Sequence, residues 1–163
     1  MSYPPERYTG EMGEGSAWIR AADAAADVEY PNGVRCHYLA RSSSTDGLFG
    51  LYRWEMPAGA GGPGPHFHRT IAESFYVLSG IVQIHDGNDW VLTEAGAFVH
   101  VPAGGWHGFR NGSDAPASML IHFAPGAPRE GYFEGLAAWA RDGRPEDEAV
   151  VEAFYREHDN IWR

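Results

Sequence analysis

The chain contains no lysine; its twelve basic residues are all arginine. Chemistry that runs through a lysine Schiff base is therefore excluded. Cys36 is the one cysteine, so no disulfide can form within the chain, and a cytoplasmic protein is the default expectation. Cys36 and His37 are adjacent, and neighbouring side chains on a strand face opposite sides. A packed thiol is expected there rather than a Cys–His nucleophile pair. No apolar run reaches the roughly 20 residues that span a membrane. The start, MSYPPERYTGEMGEG, lacks a basic region followed by an apolar stretch, so no secretory signal is expected. Positive charge is scarce: twelve arginines face 22 acids, for a net charge of −10 with histidines neutral. That argues against nucleic acid and anionic membranes, both of which need a basic face. No G-x-S-x-G occurs either, so serine-hydrolase machinery has no signature here.

What is present reads as one domain of 163 residues, long enough for a real core. Residues 1–33 are rich in Gly, Ala, Pro and charge, and form a less regular N-terminal segment in which Ser16–Ala26 has the composition of a short helix. From Val34 the pattern changes to short strand-like runs at 34–40, 48–56, 74–79, 81–86, 90–93, 97–101, 106–110 and 117–123. Turn signals such as STDG, DGND, PAGG and NGSDAP separate them. Many short strands at close spacing predict an all-β antiparallel sandwich or barrel, a jelly roll over 34–124. Beyond it, 125–163 reads as a C-terminal helical extension. Phe133, Leu136, Ala137 and Ala140 recur at helical spacing. A second helix is expected to open at Pro145, because proline suits the first helical turn and Glu146, Asp147 and Glu148 favour the positive end of the dipole. Both helices are expected on the outside of the barrel, with dimer contacts as the alternative.

The residues that carry chemistry are histidines. His66 and His68 are two apart, so on a strand both imidazoles share one face. Glu73 follows five residues later, an odd number, which requires a turn or bulge between it and His68. His107 arrives at the end of a Pro/Gly-rich turn. Neutral imidazoles with a carboxylate are what a divalent transition metal prefers.

These residues resemble the two motifs of the cupin superfamily. In the first, His66, His68, Glu73 and Gly80 match, with Ala60 standing where the leading glycine is usual, between Gly59 and Gly61. In the second, Gly96, Pro102, Gly104, His107 and Asn111 all match. Fifteen residues separate Gly80 from Gly96, a short gap similar to the small microbial members. The resemblance implies a single jelly-roll barrel and one divalent transition metal held by His66, His68, Glu73 and His107. Fe, Mn, Ni, Co, Cu and Zn are not distinguished by it. An octahedral ion with four such donors keeps positions free for substrate, unlike a closed tetrahedral structural zinc.

Strand parity sets Phe75 and Val77 on the face of Glu73, and Phe109 on that of His107, as an expected substrate pocket. An apolar pocket beside an open metal suits an aromatic or enolizable small molecule. The leading expectation is a metal-dependent dioxygenase, similar to the quercetinase-like cupins, with Glu73 as catalytic base. The alternatives are a non-redox isomerase or lyase on a sugar or keto acid, and a non-catalytic ligand-binding cupin. Exposed sheet edges suggest a homodimer. His85, His100 and His122 are expected to be hydrogen-bonded or surface histidines. Gly59, Gly61 and Gly64 satisfy GxGxxG, but PHFH leads into a strand, not the helix a dinucleotide site needs.

Overall fold

A computed structural model describes residues 2–162 of the chain. Met1 and Arg163, the outer ends of the two expected terminal segments, lie outside the described residues. Strands begin at Val28 and run in the order β1 (Val28–Glu29), β2 (Arg35–Ala40), β3 (Gly50–Met56), β4 (His66–Phe67), β5 (Ala72–Ser79), β6 (Ile81–His85), β7 (Trp90–Glu94), β8 (Phe98–Val101), β9 (Gly108–Arg110) and β10 (Ala117–Ala124). Helices α1 (Glu130–Asp142) and α2 (Glu148–Glu157) follow, then a short strand β11 (Ile161–Trp162). One sheet has the order β1-β2-β3-β10-β5-β8, and a second has β7-β6-β9. β11 pairs with β4 as a two-stranded ribbon. The chain is thus mostly antiparallel strand with two short helices, a jelly roll.

Alternation builds the core. β3 turns Tyr52, Trp54 and Met56 inward, and β10 turns Met119, Ile121 and Phe123 inward. The register opposes Met119 to Trp54 and Ile121 to Tyr52. On its other side β10 opposes Ile121 to Phe75 and Phe123 to Glu73. Val82, Ile84 and Phe109 come from the three-stranded sheet to the same cluster. Each such side chain contributes about 1.5–3 kcal/mol on burial, so a one-residue slip of β10 would reverse every inward position and is strongly disfavoured.

Two motif residues hold turns in this frame. Gly80 has φ +71°, and a Cβ there would meet Pro116 O at 2.5 Å, so only glycine joins β5 to β6. Asn111 is buried, and its amide donates to Pro57 O and Ala115 O while its Oδ1 accepts from Ser113. It ties two loops together and lies outside the histidine cluster.

Three expectations are corrected. Ser16–Ala26 holds no helix; Trp18 and Ile19 are both exposed, so no apolar face is buried to support one. α2 opens at Glu148, not at Pro145, because Asp147 supplies the cap by accepting from Ala149 N–H. The helices are not merely laid on the outside of the barrel. α1 turns Tyr132 and Phe133 into the core, and the chain after α2 returns to pair with β4.

Candidate metal centre

His66 lies on β4, and His68 directly follows that strand. Their rings are 5.0 Å apart by centroid, while the intervening Phe67 faces away and packs against Trp106 at 4.9 Å. The chain then bends at Arg69–Thr70 before β5 begins. That bend resolves the odd spacing between His68 and Glu73. The Asp159 carboxylate holds it, accepting from Arg69 N–H, Thr70 N–H and the Thr70 hydroxyl at 2.7–3.0 Å. His107 is bridged to His66 through paired backbone bonds of 2.9 Å.

All four side chains are buried, and their donor atoms lie within 4.8 Å of one another. Each imidazole gives its Nδ1–H to a carbonyl: His66 to Gly64 at 2.9 Å, His68 to Asp159 at 2.6 Å, His107 to Gly105 at 2.9 Å. Those carbonyls fix ring orientation and leave every Nε2 aimed at the centre. His107 Nε2 and His68 Nε2 lie 2.7 and 3.0 Å from Glu73 Oε2. Burial alone would push Glu73 up, yet the charge and hydrogen bonds of His107 and His68 hold its carboxyl well below the usual range. Burial likewise favours neutral His107, but the Glu73 charge outweighs it and raises the imidazole. Burial, with the His107 charge behind it, pushes His66 down to about 3, so it stays a neutral donor. Three oriented imidazoles and one ionised carboxylate fit a divalent transition metal.

The cluster opens on one side to a cavity of about 360 Å³ that includes His66 and Glu73 in its wall. Barrel strands contribute Trp54, Phe109, Ile121 and Phe123. The C-terminal extension contributes Arg129, Tyr132, Phe133, Tyr155, Asn160 and Trp162. The Trp162 ring lies against that of His66, 5.0 Å away by centroid and tilted by 35°. Arg129 is buried, with its guanidinium 4.5 Å from the Tyr132 ring; it donates to His158 O and Asn160 Oδ1.

Of the expected pocket residues, Phe109 lines the cavity. Phe75 and Val77 do not. They are inward, as parity requires, but stay in the packed core: Phe75 packs against His107 and Phe109, at 6.1 and 5.8 Å. His85, His100 and His122 stay outside the cluster; His85 packs on Trp90, and His100 shares a hydrogen bond with Ser74. Trp54 also faces inward and reaches the cavity. Arg129, Asn160 and Trp162 carry no motif, and only their return to the barrel brings them to the site.

Residues 52–123 match the cupin domain family. No curated protein matches the chain. Among solved structures, a predicted oxalate decarboxylase from Thermotoga maritima is similar at 20% identity and TM-score 0.59, over 67% of this chain and 99% of that one. The polyketide cyclase RemF from Streptomyces resistomycificus is similar at 23% identity and TM-score 0.56, over 69% and 81%. KdgF from Halomonas sp. is similar at 14% identity and TM-score 0.58, over 68% and 96%. At these identities the likeness is one of fold.

Proposed function

The chain belongs to the cupin superfamily, and on that premise we propose that it is a metal-dependent dioxygenase acting on a small aromatic or enolizable substrate, similar to the quercetinase-like cupins. The observation that carries the reading is the four-donor cluster opening onto an aromatic-walled cavity of about 360 Å³. His66, His68, Glu73 and His107 would hold one divalent metal. When bound, the ion supplies Lewis acidity toward a substrate oxygen and, if redox-active, a route to dioxygen chemistry.

The chain's own residues do the rest. The rings of Trp54, Phe109 and Phe133 offer flat apolar contact to an aromatic substrate, and Tyr155 with Trp162 adds a second pair of rings to the wall, Trp162 lying against His66. Among the described residues, Glu73 is the one carboxylate on the cavity wall. It is the acceptor for a proton leaving a substrate hydroxyl or an acidic carbon. Substrate deprotonated in this way is the electron-rich partner that dioxygen requires. A homodimer belongs to the same reading: Tyr76 and Phe98 are register partners at the sheet edge, both exposed, with Leu78 exposed on the same face.

An oxygen electrode with flavonols, catechols and 1,3-diketones tests the chemistry, on protein whose metal content is measured. Uptake is expected with at least one class. Glu73→Gln keeps size but accepts no proton, so activity per bound metal should fall by about 10²–10⁴. Silence across the panel with metal in place would leave the non-redox isomerase or lyase reading standing. Full activity per metal in Glu73→Gln would end the base assignment.

A further inference from the structure

The cavity beside the metal cluster is lopsided in its unspent polar groups. Three buried side-chain nitrogens belonging to residues that line it have no hydrogen-bond partner: Trp54 Nε1, Arg129 Nε and Trp162 Nε1. All three are N–H donors. Buried donors without acceptors cost about 1–3 kcal/mol each, and native proteins keep few of them. The imbalance extends to charge. Arg129 is 4% exposed, and among the described residues it makes no ion pair. Its other two nitrogens are held by neutral oxygens of His158 and Asn160. Its ring neighbours, Phe123, Tyr132 and Phe133, give face contacts at 4.5–5.6 Å but carry no compensating charge. Buried arginines are rare unless paired with an anion. The cavity's one carboxylate, Glu73, is already engaged with His68 and His107.

A ligand complementary to this wall brings acceptors and a negative charge at one end and apolar surface at the other. We propose that the physiological ligand is an organic carboxylate, an aromatic or enolizable acid, whose carboxylate is received by Arg129 and the indole N–H groups of Trp54 and Trp162. This deepens the proposed function and rests on the same site. It makes Arg129 a substrate-binding residue, supplied by the extension that follows the barrel rather than by the barrel strands. The extension thereby places a cation in the wall of a cavity that reaches the cluster at His66 and Glu73. An acid held this way presents its ring or its enolizable carbon toward Glu73.

The test is equilibrium binding, by calorimetry, of benzoate and phenylpyruvate against two uncharged counterparts, benzamide and methyl phenylpyruvate. It is run on metal-loaded protein and again after chelator treatment. A charge-assisted contact of this kind predicts a preference for the acids of about 10- to 100-fold. The preference should survive metal removal, because arginine rather than the ion receives the carboxylate. In Arg129→Gln it should shrink to about twofold. If that variant fails to fold, Trp54→Phe and Trp162→Phe, each keeping a ring while removing one N–H, should each weaken acid binding by about 3- to 10-fold and leave the neutral counterparts unchanged. Equal binding of acid and neutral forms overturns the proposal. So does a preference that vanishes with the metal, or one that persists in Arg129→Gln or in both tryptophan variants. The oxygenase reading fails separately: silence of the oxygen electrode across its own panel and with phenylpyruvate, metal in place, removes the oxygenase, while the preference for the acids keeps the carboxylate site.

Discussion

Each imidazole of the cluster is oriented by one carbonyl, and each carbonyl belongs to a different loop: Gly64 ahead of β4, Gly105 in the turn before β9, Asp159 after α2. The donors therefore arrive preset, and losing one leaves three still aimed at a common point. Four donors holding one ion would act together, so removing any of them would cost affinity out of proportion to its share. His107→Ala is expected to lower the metal-to-protein ratio measured by elemental analysis from about one to well below one-half under the same loading. An unchanged ratio would remove His107 from the ligand set. His85→Ala serves as the control, since His85 packs on Trp90 away from the cluster, and its ratio should match the parent.

Among elements, the segment after α2 has the largest influence on the site for its length. Asp159 caps the bend that redirects the chain from His68 to Glu73, and its own carbonyl fixes His68. Its φ of +53° is one that asparagine and aspartate tolerate better than alanine. Asp159→Ala removes the charged acceptor of three donors and adds backbone strain. It is expected to destabilise the chain by about 2–3 kcal/mol and to weaken metal binding about 10- to 100-fold, because the bend beside His68 loses its anchor although the carbonyl that holds the ring remains. Asp159→Asn keeps an acceptor and the backbone preference, so it should recover most of the stability. Denaturant melts with metal titration on both variants check this; metal affinity unchanged in Asp159→Ala would break the link between the C-terminal return and the cluster.

At the scale of the whole molecule, the two sheets and the extension share one core, and the sheet edge at β8 is left uncovered. The patch of Tyr76, Leu78 and Phe98 is apolar, flat and strand-bearing, the kind of edge that chains cover by pairing. A twofold homodimer through this edge is expected, with light scattering reading twice the 17.9 kDa chain mass. Phe98→Glu should shift it to monomer without loss of fold, because Phe98 is 65% exposed. A monomer mass for the parent chain at high concentration would reject the assembly. Among the described residues no helix is long and apolar enough to cross a membrane.

Local periodicity is enough to predict the barrel strands from β2 to β10, whereas β1 and β11, two residues each, lie in segments expected to hold no strand. Inward and outward positions alternate on β3 and β10 because a half-buried strand writes its two faces into alternate residues. The ligand set is equally legible, since a His-x-His pair, a carboxylate past a turn and a histidine behind a Pro/Gly turn need only local geometry to be recognised. Parity puts Phe75 on the right face but cannot give its depth. Depth along the barrel depends on where the cavity ends, and that is set by α1 and the chain beyond α2. Helical spacing reveals α1 without telling which neighbour it covers. Arg129, Asn160 and Trp162 are silent for the same reason: a buried arginine and a late tryptophan look like surface residues until the chain folds back. What the sequence by itself determined is the jelly roll and the four donors, both written in short-range patterns. What only the tertiary structure decided is the cavity, its cation and its unpaired donors, because contacts between residues about 30 to 110 positions apart depend on chain return, which no local pattern encodes.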